Sequence, residues 1–153
     1  MSKGLERSKI IIGLPTYGHS FRLVNPFNTR IGAPSDDIGS VGVLGFASYS
    51  EVCWFQRSNF NVRVEYDTET CSPFLSTGLE WISYEDERSL ECKANYVKAN
   101  NFGGIMIFSL NTDDYQLTCD DNYESNRLGA DSRKDFPLLR KVHSILFRNV
   151  SKN

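Results

Sequence analysis

The sequence predicts an α/β protein, with a parallel strand pair formed from its two ends and an antiparallel region inserted between them. Residues 10–14 (IIIGL) and 104–110 (GIMIFSL) are continuous apolar runs of strand length, the pattern of strands buried on both faces. A strongly periodic helix precedes the second run, so the two strands read as parallel with a right-handed crossover. The stretches between them alternate polar and apolar residues and are broken by turn residues, as antiparallel strands are.

In chain order, the first strand ends in Pro15 and Gly18, because proline gives no ladder hydrogen bond and glycine permits a sharp turn. Residues 20–24 alternate, Phe21 and Leu23 against Ser20 and Arg22, and read as a half-buried strand. Residues 25–42 hold three Gly and two Pro with little periodicity and read as a loop. Phe46, Tyr49, Val52 and Cys53 recur at helical spacing, which predicts a short helix over 46–56. Residues 61–67 (NVRVEYD) and 80–84 (EWISY) predict two more strands.

The clearest helix follows. Asp86 can cap it, Leu90, Ala94 and Val97 form its buried stripe, and Asn100, Asn101 and Gly103 end it. After the strand at 104–110 comes a polar, acidic loop over 111–135. Pro137 opens a last helix with Leu138, Val142, Ile145 and Leu146 on one face. A lone parallel pair cannot cover both its faces or its edges, so these strands expect neighbours from a larger assembly.

The 153 residues suit one domain of ordinary size, 40% hydrophobic and 24% charged, which is a globular composition. A net charge of -2 argues against binding nucleic acid or an anionic membrane through bulk charge. No run approaches the length of a membrane-spanning helix. The N-terminal MSKGLERSK has no apolar segment of the kind a secretory signal needs. Cys53, Cys71, Cys92 and Cys119 lack CxxC spacing, and only His19 and His143 could supplement them, so no metal or cofactor is expected. Four cysteines allow three disulfide pairings, or none. Asn149-Val150-Ser151 matches the acceptor pattern for N-glycosylation.

Several stretches in register resemble glycoside hydrolase family 18, the chitinases and chitinase-like lectins. KIIIGLPTYGHSF resembles that family's seventh barrel strand and its loop, and NPFNTRIGAPS the start of its small insertion domain. SYSEVCWF resembles the insertion helix, EWISYED the stretch before helix seven, FGGIMIFSLNTDD strand eight, and FPLL the start of the closing helix. MSKGLERSK resembles the end of helix six, which would place Met1 inside a longer chain. The resemblance implies a partial (β/α)8 TIM barrel, its last two βα units, with an inserted α+β domain. Residues 1–18 would be the strand-seven segment, 19–84 the insertion domain, and 85–153 helix seven, strand eight and the closing helix. The rest of the barrel is then expected upstream, and active sites in such barrels lie at the C-terminal strand ends.

Family members cleave β-1,4-linked N-acetylglucosamine polymers, with the substrate's acetamido group as nucleophile and one glutamic acid as proton donor. That glutamic acid closes an Asp-Gly-x-Asp-x-Asp-x-Glu motif, which does not occur here, and the Met-x-Tyr-Asp element of strand six is absent too. No catalytic residue is therefore assigned, and the chain alone is expected to be inactive. Asp36-Asp37, Asp113-Asp114 and Asp120-Asp121 are adjacent carboxylates that read as solvated turns or caps. The resemblance implies substrate-binding roles for Tyr17 and His19 in the cleft loop, and for Phe108 where the family usually places tryptophan. Phenylalanine keeps a stacking face and loses the indole donor. Asn111 stands where aspartate is common, and the loop over 32–53 is short for the family; both fit a degenerate relative.

Among the remaining aromatic residues, Trp81 is expected in the core and His143 on the surface, while Trp54 is a nominal exposed site. The resemblance also implies a Cys53–Cys119 disulfide, leaving Cys71 and Cys92 as a second, and a secreted, extracellular parent. Three readings stand: a portion of a secreted chitinase, a chitinase-like lectin binding chito-oligosaccharides, or a structural α+β remnant.

Overall fold

The computed structural model describes residues 4–120 and 135–147. Its elements are β1 (Ile11–Pro15), β2 (Tyr17–Leu23), β3 (Ser35–Ile38), β4 (Phe46–Ser48), α1 (Tyr49–Ser58), β5 (Arg63–Asp67), β6 (Ser72–Thr77), β7 (Glu80–Ser83), α2 (Glu87–Ala99), β8 (Gly104–Phe108) and α3 (Pro137–Leu146). Single 3-10 turns lie at Arg7–Lys9 and Leu110–Thr112. Asn149 and Asp121 lie outside the described residues.

β1 and β8 pair in parallel, Ile12 beside Ile105 and Leu14 beside Ile107, which the two apolar runs predicted. Alternation then separates two faces. Ile12, Leu14, Ile105 and Ile107 pack on α2 and α3 through Leu90, Leu138 and Val142. The opposite face is open: Ile11 is 54%, Met106 50% and Phe108 57% exposed. Burial on both faces, as the runs predicted, needs a further layer that no element among the described residues supplies.

The helices follow their caps. The Asp86 carboxylate accepts from Ser89 N at 2.7 Å, and Ser89 Oγ accepts from Asp86 N at 2.8 Å. Pro137 opens α3 as predicted, but its preceding residue supplies no side-chain cap. Asp113 does so from a distance, accepting from Leu138 N at 3.3 Å and Leu139 N at 3.0 Å. Asp113 is thus a cap, and both it and Asp114 are buried, at 0% and 1% exposure, where a solvated turn or cap was expected.

The other six strands form an antiparallel sheet in the order β3-β2-β7-β6-β5, with β4 also against β2. One face packs on α1, where Val52 and Phe55 meet Ala47, Leu75, Ile82 and Tyr84. Several elements differ from expectation. β2 begins at Tyr17, one residue after β1, so Pro15 and Gly18 do not separate strand from loop. The stretch 25–42 contains β3, an exposed strand whose polar sequence carries no alternation. Phe46 belongs to β4, and the helix starts only after the Ser48 cap. β6 fills the stretch to which no element was assigned. Trp81 is partly exposed, stacked on Phe74 with ring centroids 5.4 Å apart, where a core position was expected.

Two disulfides join the sheets' surroundings, Cys53–Cys119 and Cys71–Cys92, the pairs that the resemblance implied. The first ties α1 to the loop after β8, and the second ties the β5–β6 turn to α2.

Candidate functional site

β1 and β2 belong to different sheets yet are separated only by Thr16. Thr16 is fully buried and bonded through every polar atom. Its N–H donates to Phe108 O at 3.1 Å, and its carbonyl accepts from Tyr49 N at 3.3 Å. Its hydroxyl donates to Ser109 O at 2.6 Å and lies 2.7 Å from Thr112 Oγ1. The next residue therefore leaves the C-terminal end of β1 in a fixed direction.

That residue is Tyr17, and the pleat places His19 on the same face two positions on. Gly18 between them faces the opposite way, against β7. A Cβ there would meet Ser83 O at 2.2 Å and the Tyr84 Cβ at 2.7 Å, so only glycine fits. Phe108 ends β8 beside this point. The three residues singled out in the sequence lie together: Tyr17 is 5.7 Å from His19 and 6.4 Å from Phe108, centroid to centroid, both edge-on. Tyr17 is half-buried, while His19 and Phe108 are exposed.

Phe46 completes the group and was not foreseen. It lies opposite His19 in the ladder, 4.4 Å from Tyr17 and 5.8 Å from His19. A two-residue turn delivers it, with Leu44 and Gly45 both at positive φ and Val43 bridged to Phe46. Such turns favour Asn-Gly, and Leu-Gly gives no comparable signal. Ser48, opposite Tyr17, caps α1 and accepts from Glu51 N at 3.3 Å. Its own N–H donates to the Glu51 carboxylate at 2.8 Å, so this carboxylate serves the capping box.

The paired aspartates do other work. Asp113 accepts from Asp114 N besides α3, and burial pushes its carboxyl above the ordinary carboxylate value despite these donors. Asp114 accepts from Thr118 N at 2.9 Å and Cys119 N at 2.7 Å, which orders the approach to the disulfide. Asp36 and Asp37 flank Arg22 at the surface. Of the other candidates, Trp54 is 63% exposed on α1, and His143 is an exposed residue of α3 against Phe147. Among the described residues no group of three or more His, Cys, Asp or Glu is placed to hold a metal, and no helix is long and apolar enough to cross a membrane.

Exposed rings beside polar groups can stack on the C–H faces of a sugar, with hydroxyl and imidazole groups to fix its orientation. The molecule is thus an α/β protein with an aromatic platform at the C-terminal ends of two parallel strands. The chain belongs to glycosyl hydrolases family 18, whose sequence profile matches residues 1–113. Human chitinase-3-like protein 2 is 37% identical over 117 residues, 74% of this chain and 29% of that protein. The Ostrinia furnacalis Group IV chitinase, solved in complex with allosamidin, superposes with a TM-score of 0.80 at 26% identity, covering 94% of this chain and 36% of that one. Human YKL-39, described as a pseudo-chitinase with retained chitooligosaccharide binding properties, superposes at 0.79 with 31% identity, covering 94% and 36%. The chain therefore spans only 29% to 36% of the length of these relatives.

Proposed function

We propose that this chain is the C-terminal portion of a chitinase-type (β/α)8 barrel and contributes part of a cleft for chito-oligosaccharides. Residues 1–18 form the strand-seven segment, 19–84 the α+β insertion domain, and 85–153 helix seven, strand eight and the closing helix. Tyr17, His19 and Phe108 contact the sugar. The observation that carries this reading is that these three residues, chosen from the sequence, meet in one aromatic cluster at the ends of β1 and β8.

The chain alone hydrolyses nothing, because its 153 residues contain no Asp-Gly-x-Asp-x-Asp-x-Glu motif. The open faces of β1 and β8 are where the rest of the barrel packs. Two disulfides support a secreted parent, since such bonds persist in oxidising compartments. The second reading, a non-catalytic chitinase-like lectin, draws on Phe108 in the usual tryptophan position and on the properties described for YKL-39.

Calorimetric titration of the chain with chitotetraose tests the cleft. Weak binding is expected, since the chain supplies only one part of the cleft, and Tyr17→Ala or Phe108→Ala weakens it about tenfold, the loss of one stacked ring. Undiminished binding in both variants would overturn the assignment. Release of fluorophore from a chitobiose glycoside would overturn the claim of inactivity.

A further inference from the structure

We infer that the sugar cleft continues along the open face of the six-stranded sheet, ending in an outer subsite at Phe21, Trp81 and Arg30. The inference rests on the cleft reading above and extends it beyond Tyr17, His19 and Phe108.

Alternation in β2 puts Tyr17, His19, Phe21 and Leu23 on the face away from α1. The neighbouring strands add Phe46 opposite His19 and Trp81 opposite Phe21. Two aromatic groups thus share this face of the sheet, Tyr17, His19 and Phe46 near the ends of β1 and β8, and Phe21 with Trp81 further out along β2. At a strand rise of ~3.3 Å per residue, Phe21 lies roughly 13 Å beyond Tyr17. The Phe21 and Trp81 rings are 6.0 Å apart, and Phe74 stacks beneath Trp81.

There the surface becomes concave, with a pocket of about 160 Å³ lined by Phe21, Trp81, Arg30, Gly32, Ala33 and Ser35. Its outer wall is the loop between β2 and β3, closed at its base by Val24 N–H donating to Pro34 O at 3.0 Å. The same loop holds the indole: Trp81 Nε1 donates to Thr29 O at 3.0 Å. The N–H is therefore occupied, and the ring is locked in place.

Two arginines lie in this part of the chain. Arg22 alternates with Phe21, does not line the pocket, and is held by Asp36 at 2.9 Å. The exposed Arg30 guanidinium has no ion-pair partner among the described residues and lines the pocket. Its donors suit the hydroxyl and acetamido oxygens of N-acetylglucosamine, which accept hydrogen bonds, while the rings suit its C–H face. An aromatic floor with one donor at the rim is a sugar subsite, and its place on the same face of β2 as the Tyr17 cluster makes a longer chito-oligosaccharide its occupant.

The test uses the Trp54→Phe chain, in which Trp81 is the one remaining tryptophan. Chitotriose and chitohexaose are titrated by calorimetry while Trp81 emission is followed. Both sugars bind, chitohexaose about tenfold more tightly, and only chitohexaose changes the emission. Adding Arg30→Ala cuts the chitohexaose advantage to about twofold or less and leaves chitotriose affinity as it was. Binding of both sugars with equal affinity and no change at Trp81 overturns the outer subsite while the Tyr17 cleft stands. An equal loss for both sugars on Arg30→Ala also overturns it. Failure of both sugars to bind overturns the cleft and the subsite together.

Discussion

Asp113 is the residue on which the start of α3 depends. Its carboxylate is fully buried and accepts three backbone N–H groups: Asp114 at 2.7 Å, Leu139 at 3.0 Å and Leu138 at 3.3 Å. Asp113→Ala leaves all three donors buried without an acceptor. At about 1–1.5 kcal/mol each the loss is about 3–4.5 kcal/mol, reduced by release of a buried charge to about 2–3 kcal/mol. Urea unfolding followed by far-UV circular dichroism measures it as a lower midpoint at constant slope. A loss below about 1 kcal/mol would refute the argument that this cap holds α3.

The same residue sets a dependence on pH. Burial raises its carboxyl above the ordinary 3.8, so on acidification the folded chain binds a proton before the unfolded chain does. Through this group stability rises as pH falls from the raised value toward 3.8, and then levels off. Asp113→Asn removes the titration, so the variant's deficit relative to the parent widens as the solution is taken from neutral to acidic pH. A deficit that narrows on acidification contradicts the sign.

Three further outcomes follow from other parts of the molecule. The Cys53–Cys119 disulfide spans 66 residues and Cys71–Cys92 spans 21, so serine pairs at these positions cost about 4 and about 3 kcal/mol on the chain-entropy account. Thermal unfolding under non-reducing conditions ranks them, and the reverse order counts against that account. Gly18→Ala forces a methyl group into the β7 backbone, destabilising by about 1–3 kcal/mol and disturbing Tyr17 and His19 together; a neutral effect on unfolding would remove the steric argument. Burial pushes the Tyr84 phenol up to about 12, so stability falls as pH rises from 10.0 toward that value, and Tyr84→Phe flattens the fall in urea midpoints across alkaline pH.

Legibility in the sequence followed locality. β1, β8 and α2 were readable because an apolar run, or a cap followed by a stripe, lies within a few residues of chain. β3 was not, since SDDI owes its strand conformation to pairing with β2 and not to its own pattern. Phe46 fits a helical stripe as well as a strand, and only the turn at Leu44-Gly45, which gives no local signal, decides between them. The burial of Asp113 was hidden for a related reason. Its partners on α3 stand 25 and 26 residues away, and an aspartate pair in a polar stretch looks solvated until that helix is placed. Tyr17, His19 and Phe108 were singled out through the resemblance and lie together, while Trp81 at the pocket needed the sheet.

Thr16 has a consequence for motion. A hinge requires a residue free to rotate, and this one is fixed through its N–H, carbonyl and hydroxyl to β8, to α1 and to the turn after β8. The aromatic surfaces carried by the two sheets therefore have no slack between them at this junction. A ligand that bridges them meets its contacts already spaced, without a closing step to slow association or an ordering cost to weaken it.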